Sequence, residues 1–183
     1  MTAVVGENVA ASLKAKIREV RGFPQEDILF YDITTLLQDA GAFHDAVDMM
    51  AEPFRDRAID MVVAMESRGF IFGAPLAYLL DAGFAPIRKL GKLPHNTITR
   101  EYRLEYATNT LEMHADAVRP GQKVLLVDDL LATGGTVAAS LDIVRELGAD
   151  PVGVVVLVEL ESLRGRQRLE PYAVEVRSFI RYP

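Results

Sequence analysis

The sequence predicts an α/β fold with a mostly parallel central sheet flanked by helices, and three observations carry that reading. Short apolar runs recur at 61–65, 84–88, 123–127 and 152–158, and the last is almost entirely β-branched. Helix-patterned stretches separate most of them, and glycines punctuate the junctions. Unbroken apolar strands alternating with helices are buried on both faces, which is the signature of a parallel sheet.

Taken in order, Asn8 is placed to cap a first helix whose Val9, Leu13, Ile17 and Val20 share a face, and Gly22 and Pro24 end it. Ile28 to Tyr31 reads as a short extended piece. A second helix is expected from about Ala42 to Arg57, with Phe43, Val47, Met50 and Phe54 on one stripe. Met61–Met65 is a strand, 69–80 a helix, Gly83 a turn and Phe84–Arg88 the next strand. Lys123–Val127 is a further strand, running through a glycine pair into a helix over 137–147 that Gly148 stops. Val152–Val158 is another strand, and 173–179 closes the chain. Thr99–Tyr106 and Thr110–Ala115 read as the two arms of a hairpin. Their charges, with Gly91, Pro94 and Asn96 before them, suggest a mobile excursion from the sheet over 91–115, and long excursions often serve as lids.

With 183 residues, half of them hydrophobic, the chain is expected to form one domain with a sizeable core. The net charge of −6 argues against nucleic acid or an anionic membrane as partner. No cysteine is present, which excludes disulfides and thiol chemistry and suits a reducing cytoplasm. Apolar stretches stop well short of the roughly 20 residues that span a membrane, and the first residues do not read as a secretory signal. His44, His95 and His114 lack metal-ligand spacing. His44 flanks the apolar stripe of its helix and reads as structural, while His95 falls in the excursion.

The most informative segment runs from Val124 to Thr136, VLLVDDLLATGGT. A buried strand delivers Asp128 and Asp129 at its carboxyl end, where ligands sit in open α/β sheets. The loop Ala132, Thr133, Gly134, Gly135 and Thr136 then offers close backbone N–H groups, two hydroxyls and the positive end of the next helix, which is a phosphate site without a lysine. Carboxylates repel phosphate, so the pair makes sense if the ligand carries hydroxyls next to its phosphate, as ribose 5-phosphate does. A lone Asp-Asp or Gly-Gly would read as an ordinary helix-capping turn; the whole ordered segment does not. The lysine-containing loop of nucleoside triphosphatases is not matched.

At these residues the sequence resembles the phosphoribosyl-pyrophosphate signature of the type I phosphoribosyltransferases, and its wording is similar to the adenine-specific branch. Three further segments share the resemblance: Glu66-Ser67-Arg68-Gly69-Phe70 is similar to the pyrophosphate loop, Arg88-Lys89-Leu90-Gly91-Lys92-Leu93-Pro94 to a basic segment, and Leu104-Glu105-Tyr106 to the lid motif. With Phe23-Pro24 and 30–34 it covers roughly residues 9–160. Two departures stand in the region that forms a hood over the base: Glu26-Asp27 replaces the family's Pro-Gly, and Tyr31 stands where arginine is frequent.

The resemblance implies transfer of the phosphoribosyl group of phosphoribosyl pyrophosphate to adenine, giving AMP and pyrophosphate. It implies a single domain over 1–183 with a hood at about 1–35, a lid hairpin at about 91–115, and a homodimer. Asp128, Asp129 and residues 132–136 would hold ribose and 5′-phosphate. Arg68, Lys89 and Lys92 would hold pyrophosphate; Arg68 competes with a salt bridge to Glu66, and Lys92 with a solvated surface role. Glu105 would handle the purine proton, though without the resemblance it is no better a candidate than Glu101. Leu29, Phe30 and Tyr31 would contact adenine, or simply pack. Mg²⁺ is expected on the substrate with no direct protein ligand, reached through water by Asp128 or Asp129. Two rivals remain: a sister enzyme acting on another base, and a ligand-sensing regulator without chemistry.

Overall fold

The structure is a computed structural model that describes residues 2–183 except 104–107. The chain divides into two compact units, Met1–Met49 and Met50–Pro183.

In the first unit, α1 spans Thr2–Lys14 and a two-stranded antiparallel ribbon follows, β1 (Arg18–Arg21) with β2 (Leu29–Asp32). The first helix therefore begins earlier than Asn8 and stops short of Val20, which pairs with Phe30 across the ribbon. Leu13 is buried as the helical pattern expects; Ile17 is buried too but lies past the end of the helix, and it and Val20 met that spacing by coincidence. A short helix α2 (Thr34–Leu37), absent from the sequence reading, is started by Asp32, whose Oδ1 accepts from the Thr34 N–H at 2.9 Å and its hydroxyl at 2.6 Å. Asp39 does the same for α3 (Ala40–Ala51), accepting from the Ala42 N–H at 3.0 Å. That helix ends before Arg57 because Pro53 turns 52–54 into a single 3-10 turn.

The second unit is a seven-stranded sheet in the order β5 (Thr97–Arg103), β6 (Thr108–His114), β4 (Gly83–Lys89), β3 (Met61–Met65), β7 (Lys123–Leu131), β8 (Asp150–Leu160), β9 (Val176–Tyr182). Its parallel part comprises β3, β4, β7, β8 and β9. Helices α4 (Gly69–Leu79), α5 (Gly135–Glu146) and α6 (Gly165–Leu169) connect them. Side chains alternate across the strands, so Ala64 backs onto Gly73 of α4 while Val63 and Met65 join α5 in one apolar cluster on the other face. The expected α/β class holds. No helix among the described residues is long and apolar enough to cross a membrane.

The hairpin is less of an excursion than its charges suggest. Its arms β5 (Thr97–Arg103) and β6 (Thr108–His114) pair antiparallel, and β6 pairs in turn with the end of β4, so both extend the sheet edge. The reason is Leu111 and Met113, which point into the core and are buried.

Candidate active site

Parallel strands align their carboxyl ends, and β3, β4, β7 and β8 all present theirs at one edge of the sheet. The register Val63↔Leu126 and Ala64↔Val127 places the loop after β3 beside the acid pair of β7. Arg68 stands at the N-terminus of α4 in that loop, and its Nε lies 2.9 Å from Asp129 Oδ2. The contact is an ion pair rather than an aligned hydrogen bond, since that oxygen completes none. Close approach is possible because the next residue is glycine: a Cβ on Gly69 would stand 2.9 Å from the Val127 carbonyl oxygen and 3.0 Å from Asp128 Oδ1. The Glu66–Ser67 peptide that precedes Arg68 is cis.

Strand β7 runs further than the sequence reading placed it and carries both acids. Asp129 is buried; Asp128 keeps part of its surface open, and its Oδ1 accepts from the Asp129 N–H at 2.9 Å. Burial pushes the Asp128 carboxyl well above the usual range, and the neighbouring Asp129 adds to it. Burial also raises Asp129, against the pull of Arg68. Asp129 Oδ2 is buried without a hydrogen-bond donor, so the pair keeps acceptor capacity for a ligand's hydroxyls.

The loop after the pair closes around a pocket of about 130 Å³, lined by Asp128, Ala132, Thr133, Gly134, Gly135 and Thr136 among others. Gly134 adopts φ of 76°, a left-handed turn that side chains resist. Directly after it α5 begins, so its free N–H groups face the pocket. A larger cleft of about 520 Å³ lies behind, between Tyr102, Asp142, Arg145, Arg168 and Tyr172. Its charges are mixed, whereas the small pocket receives the N–H groups at the start of α5, which makes it the better phosphate site. Gly135 lines both, and beside it the Thr136 hydroxyl donates to the Tyr102 hydroxyl at 3.3 Å.

Lys89 and Lys92 are both exposed, and their backbone is held more tightly than their side chains. Glu66 accepts from the Lys89 N–H at 2.9 Å and grips Arg88 with both oxygens. That Lys89 bond and the Arg88 guanidinium keep the Glu66 carboxyl below its ordinary range despite partial burial. Glu66 is therefore Arg88's partner, and Arg68 is paired with Asp129 instead. Glu112, buried at 3% exposure, accepts from the Lys92 and Leu93 N–H groups at 2.7 Å each. Burial alone would raise it, but the backbone donors of Leu93, Lys92 and Gly91 prevail and hold it below the usual range. In the sequence Glu112 is signalled only as a charge between two apolar residues, Leu111 and Met113, of a predicted arm.

Arg68, Lys89, Asp128, Asp129 and 132–136 thus share one sheet edge, with Lys92 in the loop just beyond. Leu29, Phe30 and Tyr31 lie on β2 of the other unit, half-buried, with the Phe30 ring edge-on to Phe23 at 5.1 Å between centroids. Glu105 falls in 104–107, outside the described residues, with the rest of its motif. No cluster of three or more carboxylate or histidine groups suited to hold a metal ion occurs among the described residues.

Known proteins resemble this chain over nearly its whole length. The phosphoribosyl transferase domain family matches residues 33–181. An adenine phosphoribosyltransferase of Acetivibrio thermocellus is 54% identical over 173 residues, covering 93% of this chain and 99% of that protein. The crystal structure of the Thermoanaerobacter pseudethanolicus adenine phosphoribosyltransferase superposes with a TM-score of 0.91 at 47% identity, covering 94% of this chain and 99% of that one. The Saccharomyces cerevisiae enzyme, complexed with an imino-altritol bisphosphate and adenine, gives 0.88 at 36% identity, covering 94% and 99%.

Proposed function

The chain belongs to the phosphoribosyltransferase family and, within it, to the adenine phosphoribosyltransferases; on that premise we propose that it makes AMP and pyrophosphate from adenine and phosphoribosyl pyrophosphate. The observation that carries the reading is the meeting of an acid pair, a guanidinium and an anion pocket at one sheet edge. In the transfer, the bond from adenine N9 to ribose C1 forms as the bond from C1 to the pyrophosphate oxygen breaks, its electrons leaving with pyrophosphate. Positive charge gathers on the ribose and negative charge on the leaving group. Asp128 and Asp129 oppose the first and accept from the ribose hydroxyls; Arg68, with Lys89 and Lys92, opposes the second. The 5′-phosphate sits in the 132–136 loop. Glu105 takes the N9 proton when the hairpin acts as a lid, and Leu29, Phe30 and Tyr31 wall the base.

Magnesium fits this site as the substrate's counter-ion, with Asp128, partly open to the cleft, reaching it through water. When bound, it neutralises charge growing on the pyrophosphate. The cytoplasm is the compartment that suits such a cysteine-free salvage enzyme.

The test is to supply phosphoribosyl pyrophosphate and magnesium with adenine, hypoxanthine, guanine or xanthine separately and resolve the products. AMP from adenine alone is expected, with turnover slowed about 10²-fold or more in Glu105→Gln. Turnover of a different base would move the fault to the hood, where Glu26-Asp27 and Tyr31 depart from the family pattern. Binding without product from any base would leave a ligand sensor.

A homodimer belongs to the same proposal. Helix α4 is apolar nearly all round, and Ile71 and Tyr78, seven residues apart on one face, are 37% and 87% exposed, with Phe84 of β4 at 39%. A self-complementary two-fold contact would cover them. Sedimentation velocity should find a dimer that Tyr78→Glu splits; a wild-type monomer at assay concentration would refute it.

A further inference from the structure

Arg166, the middle one of three arginines between β8 and β9, lies outside the site described so far, but its carboxylate partner is buried and stands on a strand that leads to that site. Strand β8 ends beside β7, with Glu159 paired in register with Leu131, the residue before the phosphate loop. Glu159 is only 4% exposed. Its carboxylate accepts from Arg166 Nε at 3.0 Å and Nη2 at 2.6 Å, and from the Ser178 hydroxyl. Arg166 Nη1 donates to the Val176 carbonyl at 2.8 Å, and Nη2 also reaches Ser178 Oγ at 3.1 Å. A guanidinium held by three groups on two strands has one orientation.

That orientation fixes where the chain just before Arg166 goes. Arg164 takes a left-handed turn at φ of 53°, and Gly165 is thereby laid flat on the phosphate loop. A Cβ on Gly165 would stand 2.2 Å from the Ala132 carbonyl oxygen and 3.0 Å from the Gly134 nitrogen. In return, a Cβ on Gly134 would stand 2.7 Å from the Gly165 carbonyl oxygen. Two glycines therefore meet backbone to backbone, with no room for a methyl group on either.

We propose that the Glu159–Arg166 clasp is a positioning device for the 5′-phosphate: it presses Gly165 against Ala132–Gly134 and so sets the loop whose N–H groups receive the phosphate. This rests on the phosphoribosyl-transfer reading. An ion pair whose guanidinium is 38% exposed is a poor source of net stability, because solvent screens its charge. What the fork supplies here is direction, delivered to a loop that needs its donors aimed within tenths of an ångström. Arg166 acts through Gly165 and touches no substrate.

The full chain carrying Gly165→Ala, Arg166→Lys or Arg166→Met, with Leu163→Ala from the exposed turn nearby as control, tests this. Ribose 5-phosphate affinity is measured by calorimetry without turnover, and KM for each substrate by steady-state kinetics. A methyl forced into that contact should weaken ribose 5-phosphate by about tenfold to a hundredfold and raise KM for phosphoribosyl pyrophosphate alike, while KM for adenine stays within about twofold. Arg166→Met should do the same, with Arg166→Lys recovering part of the loss, and Leu163→Ala should match wild type. If Arg166→Met does not fold, Arg166→Lys decides, since it keeps the charge and loses the fork that sets the direction. Unchanged ribose 5-phosphate affinity in Gly165→Ala, or both KM values rising together, would overturn the proposal. So would a wild type that does not bind ribose 5-phosphate. Wild-type ribose 5-phosphate affinity in a folded Arg166→Met would overturn it too, whereas a wild type that binds ribose 5-phosphate and loses it in Arg166→Met, but forms no AMP, would uphold the clasp and overturn the transfer reading.

Discussion

Arg68→Ala is expected to lower kcat/KM for phosphoribosyl pyrophosphate by about a thousandfold. Its guanidinium is the cation that the structure sets directly on the acid pair, 2.9 Å from Asp129 Oδ2. Pyrophosphate leaves with growing negative charge, and an aimed donor in a partly closed site is worth about 10²–10³ in rate. The substitution also takes the counter-charge away from Asp129, so the site becomes more repulsive toward a phosphorylated ligand before any chemistry begins. Both kcat and KM should therefore move, unlike the KM-only loss from a distant binding contact. Arg68→Lys should recover little, because an ammonium at the same distance lacks the fork that spans two phosphate oxygens. Stability should fall as well, because Asp129 is left buried without its ion pair. That loss is held to about 1–2 kcal/mol, since Arg68 is 37% exposed and already shares its charge with solvent. Initial rates against phosphoribosyl pyrophosphate at saturating adenine, with a thermal melt of each variant, provide the check. An Arg68→Ala enzyme within about tenfold of wild type would remove Arg68 from the pyrophosphate site.

The pairing of Arg68 shows where sequence stops being informative. Glu66 stands two residues away, and proximity along the chain made it the natural partner. In the fold, Glu66 turns to Arg88 on the adjacent strand, 22 residues on, and Arg68 faces Asp129 across the sheet edge. Strand registers decide such pairings, and register is not written in local pattern. What could be read locally was read: the runs at 61–65 and 123–127 are strands because nothing but a doubly covered sheet hides so many consecutive apolar residues. The anion loop was legible because glycines and threonines after such a strand have few other uses. Ile17 and Val20 deceived because the two stripe positions before them, Val9 and Leu13, are helical. Glu112 and Glu159 were invisible for a different reason. Each is a charged residue buried at its position, where composition predicts exposure, and only the converging N–H groups or guanidinium explain it.

Asp128→Asn should do two things that rarely go together, slowing the enzyme by about 10²-fold or more while making the protein more stable. Asparagine keeps the shape and can still accept the Asp129 N–H, which Asp128 Oδ1 now does at 2.9 Å. What it removes is charge. Burial raises the Asp128 carboxyl well above its ordinary range, with Asp129 adding to the shift, so the ionised form is disfavoured by the fold. The sign follows from linkage. A carboxyl that holds its proton more tightly folded than unfolded costs nothing below its unfolded value of about 3.9, and costs progressively more as pH rises from there through the folded value. Asp128→Asn should therefore melt a few degrees above wild type at neutral pH, since about 1 kcal/mol moves a chain of this size by about 2–4 °C. The gap should close as pH approaches about 4. Activity should move the other way, because the same negative charge opposes the positive charge that gathers on the ribose as pyrophosphate departs. On the acid side, wild type should lose activity as Asp128 takes up a proton, and the variant's profile should lack that limb. A variant that is slower but also less stable at neutral pH would show that Asp128 is held by structural bonds rather than strained for catalysis. One that keeps wild-type rate would remove the acid pair from the ribose.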